Sequence, residues 1–207
     1  MKRTICKITI FLLLLSAFVT SFSSCARESD EEFLTLTAEL LQKSAAVNEI
    51  CFGEGLAYDE QNGYATSGYA EATEESCLKY GVRTVEEIKA LVASVYSVAV
   101  ADYIDDVVFQ PVKDGNTFLT YRRYFDAMDG EGNVALMVKK DYEVKAHGTV
   151  TYGNLRVETH ARTRATVLTD VSVTDGENSR VYENVSFDLR FEDGAWKLDT
   201  VTYASLT

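Results

Sequence analysis

From Leu155 onward the chain alternates with period two. Leu155, Val157, Thr159, Ala161, Thr163, Ala165, Val167, Thr169, Val171 and Val173 fall on one face. Arg156, Glu158, His160, Arg162, Arg164 and Asp170 fall on the other. That pattern predicts an antiparallel strand, or two in line, with one face buried and one wet. Residues 175–179 read as a turn, and the strand after them turns Val181, Val185, Phe187, Leu189 and Phe191 inward. Asp193-Gly194 is a two-residue hairpin signal, after which Trp196 and Leu198 return on the buried face. This loop sets Glu192 opposite Ala195, Phe191 opposite Trp196 and Leu189 opposite Leu198. The earlier loop sets Val173 opposite Val181 and Val167 opposite Phe187, with Arg162 facing Glu192 and Thr166 facing Asp188 outside. A polar outer face leaves one side to be covered, and the N-terminal half has to cover it.

That half reads with a helical period. Ser29 and Glu32 fit a capping box, and Phe33, Leu36, Leu40, Ser44, Val47 and Cys51 recur at helical spacing. They predict a helix over about 31–51, ended by Gly53 and Gly55. Thr84 and Glu87 form a second box ahead of Ile88, Leu91, Val92 and Val95, a helix over about 85–95. Ser97 caps a third helix, which runs to about Phe109 and is stopped by Pro111. Between these helices, residues 53–81 have no clean period; segments 56–58 and 64–66 flank Asn62-Gly63 and suggest a small hairpin. Thr117 to Phe125 reads as one strand, residues 126–133 as a turn and Val134 to Val138 as a short strand. Residues 139–154 give no clear signal.

The first 24 residues stand apart. Lys2, Arg3 and Lys7 make a basic start, Ile8 to Phe22 an apolar run, and Ser23-Ser24 precede Cys25. This is the layout of a secretory signal. The stretch Phe22 to Cys25 resembles a bacterial lipoprotein signal, although that pattern usually has leucine where Phe22 stands. The resemblance implies that Cys25 is lipidated and becomes the mature N-terminus. Acyl chains at roughly 0.8 kcal/mol per buried methylene would hold the protein on a membrane. The domain plan is therefore a signal peptide over 1–24, a lipidated cysteine and short tether over 25–30, and a single α+β domain over 31–207.

The chain has 20 basic and 32 acidic residues, a net charge of −12. Without the signal's three basic residues, 17 remain against 32 acids, or −15. A domain so acidic is repelled by nucleic acid and by anionic lipid. Basic protein surfaces, neutral sugars and peptides are better partners. Of four cysteines, Cys51 and Cys77 lie in the mature domain, in an oxidising compartment. They are either bridged or two buried thiols. A bridge would close a loop of about 27 residues, worth roughly 3.5 kcal/mol in the chain-entropy picture.

Candidate chemistry is sparse. The sequence shows no nucleophile elbow, phosphate loop, dinucleotide glycine pattern or zinc-binding helix, so no catalytic residue, metal or cofactor is assigned. His160 falls on the outward, charged side of its strand. The oxygen-rich turn at 126–133 misses the calcium-loop spacing. Tyr58, Tyr64, Tyr69 and Tyr80 crowd among glycines and acids, as in a contact surface, or else cap the domain's own core.

The stretch from Thr84 to Tyr103 and the ending from Phe187 to Asp199 resemble the DL-endopeptidase inhibitor (IseA-like) family of secreted bacterial proteins. The resemblance covers roughly residues 33–203 and matches no inhibitory residue one by one. It implies an α+β fold and a partner among the cysteine peptidases that cut the peptide stem of peptidoglycan. The expected architecture is α+β, N-terminal helices packed on a curved antiparallel sheet, cystatin-like or nuclear-transport-factor-like. The expected function is a membrane-anchored binding or inhibitor module at the cell envelope. The alternatives are a small enzyme with a pocket between helices and sheet, and a solute-binding or scaffold lipoprotein.

Overall fold

The structure is a computed structural model that describes residues 29–60, 68–114, 118–121, 123–128, 132–142, 144, 148–176 and 178–202. Met1–Phe33 and Leu34–Thr207 form two compact units. The described part of the first is the start of helix α1, Asp30–Cys51. Its capping box closes as expected. The Ser29 N–H donates to Glu32 Oε2 at 3.1 Å, and the Glu32 N–H donates back to Ser29 Oγ at 3.3 Å.

The second unit is α+β. Three more helices follow α1: α2 (Glu74–Tyr80), α3 (Val85–Val95) and α4 (Val98–Val108). Thr84 and Ser97 cap α3 and α4 through their side chains, and both helices bury an apolar stripe. Helix α2 was not legible from periodicity, because seven residues span only two turns. Its signals are the caps: Thr73 accepts from the Ser76 N–H, and Gly81 sits in the left-handed region at φ 68°.

The strands form two four-stranded antiparallel sheets and one ribbon. The first sheet has the order β1-β2-β6-β5, built from Tyr58–Asp59, Tyr69–Ala72, Val134–Lys139 and Tyr124–Met128. The second has the order β10-β9-β8-β7, built from Ala195–Leu198, Asn178–Glu192, Arg164–Asp175 and Thr149–His160. The ribbon pairs β3 (Pro111–Asp114) with β4 (Phe118–Tyr121). The expected strand over 117–125 is thus two, β4 and β5, separated where Arg123 turns into the core. The expected turn at 126–133 begins later, since β5 continues to Met128. β1 pairs with β2, Tyr58 opposite Ala72, while Asn62-Gly63 and the segment 64–66 of the suggested small hairpin lie outside the described residues.

The last hairpin has the expected register, with Phe191 opposite Trp196 and Leu189 opposite Leu198. Asp193 at φ 50° and Gly194 at φ 82° supply the two left-handed residues that a tight turn of this hand needs. The Phe191 and Trp196 rings meet edge to face at 5.5 Å. Trp196 is buried, while Phe191 keeps 39% of its surface.

The alternating run from Leu155 to Val173 is two antiparallel strands. A turn at Ala161–Thr163 divides them, closed by the Ala161 N–H on the Arg164 carbonyl at 2.8 Å. No glycine, proline or asparagine marks it. On β8 the inward set Ala165, Val167, Thr169, Val171 and Val173 is buried as expected. On β7 the register shifts twice, so His160 rotates out of the charged face and meets Trp196 edge to face at 5.5 Å. A shift between Thr169 and Val171 also moves the far end of β9 by one residue. Val173 therefore faces Arg180 rather than Val181, and Val181 becomes exposed. One side chain anchors two of these three irregularities. Asp170 on central β8 accepts from Asn154 Nδ2 at 2.6 Å and from the Asn184 N–H at 3.0 Å. Asn154 and Asn184 are left-handed, at φ 50° and 57°, a conformation asparagine tolerates well.

Hydrogen bonds join helices α3 and α4 to the second sheet and the segment after it. Lys197 Nζ donates to the Ser94 carbonyl at 2.8 Å, and the Ser97 N–H donates to the Leu198 carbonyl at 2.8 Å. Arg190 Nη2 reaches Asp199 at 2.7 Å, and Asp199 also accepts from the α4 cap Ser97. Among the described residues, no helix is long and apolar enough to cross a membrane.

Candidate functional site

The structure does not gather the described tyrosines of this set, Tyr58, Tyr69 and Tyr80, into one surface. Tyr69 is a core residue, packed edge to face on Phe125 at 4.9 Å within a cluster that includes Ala135 and Met137. Tyr58 is half-buried and donates its hydroxyl to the Lys140 carbonyl at 3.2 Å. Tyr80 ends α2, with Lys79 Nζ 4.8 Å from its ring centroid. Tyr64 lies outside the described residues, as does Cys25. Cys51 and Cys77 are free, buried thiols. Burial pushes Cys51 up to about 12 against an opposing pull from Arg123, so the thiol is neutral at physiological pH.

What the segment after α1 does gather is a chamber around Arg123. This arginine is 1% exposed. Its backbone is held on both sides: its N–H donates to the Val108 carbonyl at 3.0 Å, and its carbonyl accepts from the Lys139 N–H at 2.9 Å. Its side chain reaches the loop that ends α1, where Nη2 donates to the Gly53 carbonyl at 2.6 Å. Gly55 is left-handed at φ 82°, and a Cβ there would lie 2.1 Å from Arg123 Nη2 and 2.6 Å from the Tyr124 hydroxyl. Only glycine admits the guanidinium. Tyr124 ties the same loop to the sheet, donating to the Ile50 carbonyl at 2.8 Å and accepting from the Leu56 N–H at 3.1 Å. The Arg123 guanidinium lies over the Tyr142 ring, 4.1 Å from its centroid. Its Nε and Nη1 are buried and have no hydrogen-bond partner among the described residues.

A second buried polar group sits between α1 and the C-terminal segment. Asn48 Nδ2 donates to Thr202 Oγ1 at 2.8 Å, and the Tyr96 hydroxyl donates to Asn48 Oδ1 at 2.9 Å. Thr202 donates to Ser44 Oγ at 2.7 Å, and Ser44 donates to the Leu41 carbonyl at 2.7 Å. Burial raises Tyr96 to about 12, so it stays a neutral phenol. These groups satisfy one another and fasten α1 to the end of α3 and to the C-terminal segment.

Sequence reasoning passed over Arg123, although a signal was present. The strand pattern put it on the same face as Leu119, Tyr121 and Phe125, an arginine among large apolar side chains. Asn48, between Val47 and Ile50 in a helical run, offered the same kind of clue.

No protein-family profile matches the chain, and no curated protein matches it.

Proposed function

We propose that this chain is a binding module of the bacterial cell envelope, held to a membrane by lipid on Cys25, that restrains a cell-wall cysteine endopeptidase by covering it. The observation that carries the reading is apolar exposure at the ends of two hairpins. Met128 and Val134 face each other at the end of β5–β6, 72% and 48% exposed. Val181 and Tyr182 stand out near the β8–β9 turn, 61% and 46% exposed. Apolar side chains at hairpin ends, on a chain of net charge −12, suit a partner with a basic rim around an apolar centre. The acids would speed encounter and weaken with salt, while the apolar ends would slow release.

The test is an activity assay. The purified chain is added to a cysteine endopeptidase digesting peptidoglycan, beside the variants Met128→Asp and Tyr182→Asp. The reading expects dose-dependent slowing by the wild type, lost by at least one variant that melts like wild type. Unchanged digestion at every ratio removes it. Detergent partitioning of wild type and Cys25→Ala tests the anchor separately, and release of both into the aqueous phase removes that part.

A further inference from the structure

We infer that the free edge of β9 pairs with β9 of a second copy of this chain, antiparallel, about a two-fold axis at Val181. Near its end β9 lies between β8 and β10. At Asp188 both backbone groups point away from β8. Its N–H donates to Thr200 Oγ1 at 3.1 Å, and its carbonyl accepts from the Asp199 N–H at 2.7 Å. From there to the hairpin tip, residues 178–186 have β8 on one side, and among the described residues no strand lies on the other. All of them but Val185 are exposed. Along a strand, successive residues aim their N–H and C=O to opposite sides. Asp175 and Asn178 close the hairpin by facing each other, so Arg180 and Tyr182 also face β8, while Val181 presents its N–H and carbonyl to the open side. An edge of this kind is a template for another strand.

Self-complementarity names the occupant. An axis at Val181 sets this residue opposite itself, and it sets Arg180 of each copy opposite Tyr182 of the other. An apolar pair then sits on the axis, flanked by two guanidinium–tyrosine pairs, both favourable across strands. An axis at Arg180 or at Tyr182 does not work, because their backbone groups are spent on β8. The length also fits. The axis brings Gly176 of the copy opposite Ser186, so each hairpin tip stops short of Asp188, where the chain after β10 takes the edge. A net charge of −12 on each copy opposes the pairing, so salt should strengthen it, the reverse of attraction to a basic partner. The pairing goes beyond the proposed function: it would cover Val181 and Tyr182, leaving that hairpin end open only in the single copy.

The test is disulfide cross-linking of the full chain in detergent micelles kept in large excess over protein, with wild type oxidised alongside to account for its own cysteines. Val181→Cys should give roughly fivefold more linked dimer than wild type, since facing Cα atoms of such a pair lie about 5.5 Å apart, within disulfide reach. Arg180→Cys mixed with Tyr182→Cys should link, while either alone stays at the wild-type level. Sodium chloride should raise the linked fraction. Adding Val181→Pro to both mixed chains should abolish the link, because it removes an N–H that faces away from β8 and leaves the hairpin's own bonds in place. The cysteine variants stand even where the proline variant fails to fold. Val181→Cys that links no more than wild type overturns the inference, and so does Arg180→Cys alone linking as well as the mixture. No peptidase enters this test. Loss of restraint by Tyr182→Asp in the digestion assay, with no link at Val181, gives the edge to the envelope partner and overturns the second copy alone.

Discussion

Two buried polar groups in the same unit were built to opposite rules. In the Ser44, Asn48, Tyr96 and Thr202 group, neutral side chains bond one another and the chain ends at a backbone carbonyl. Around Arg123, a charged side chain meets one carbonyl and keeps two nitrogens without described acceptors. Burial alone therefore says little about role. A closed network fixes one packing of α1 against the C-terminal segment, whereas an open one leaves donors unmet.

The largest effect that separates them is expected at Gly55. Gly55→Ala forces a side chain into the left-handed region, about 1–3 kcal/mol of strain, and drives its Cβ against Arg123. Chemical denaturation should show at least that loss. A variant as stable as wild type would mean that the guanidinium moves aside freely. Next comes Asn48→Ala, which strands the Tyr96 and Thr202 hydroxyls and should cost about 1–3 kcal/mol. An unchanged midpoint there would mean that water replaces the amide and the network is not closed.

The pH response samples both places at once. Burial raises Tyr96 in the closed group and Tyr124 in the Arg123 chamber from 10.0 to about 12, and Cys51 from 9.0 to about 12. Each group is an acid kept protonated by folding. Its contribution is fully present below the ordinary value and is lost as pH rises through the folded one. Stability should therefore fall from about pH 9 toward 12, and less steeply in Tyr96→Phe and Tyr124→Phe. Flat stability across that window would contradict the burial of all three.

Much of the fold was legible because local rules set it. The capping residues Ser29, Thr84 and Ser97 and the Asp193-Gly194 turn act over a few residues, and each worked as read. What failed was register over distance. A bulge adds one residue without changing composition, so nothing in the alternation announced that His160 and Val181 would change faces. The turn at Ala161–Thr163 lacks turn chemistry and is held instead by its neighbours, Arg164 and Phe191. The expected strand over 117–125 is two because Arg123 interrupts it to reach Gly53, a contact across 70 residues, leaving β4 in the ribbon and β5 in the first sheet. The same contact explains why the chamber could not be read: its parts come from a loop near 53, a break at 123 and a ring at 142. Tyr69 takes the second of the two readings open to it, a core residue, and the strand that buries it was not seen in the sequence.

The unmatched charge of Arg123 is tested most directly by the smallest expected effect. Denaturant melts of Arg123→Met against wild type measure what the guanidinium contributes to folding. Loss of the Gly53 bond should be offset by relief from burying an unmatched charge. The variant is expected within about 1 kcal/mol of wild type, or above it. A loss of about 3–5 kcal/mol, the mark of a broken buried ion pair, would show that the protein already supplies the anion.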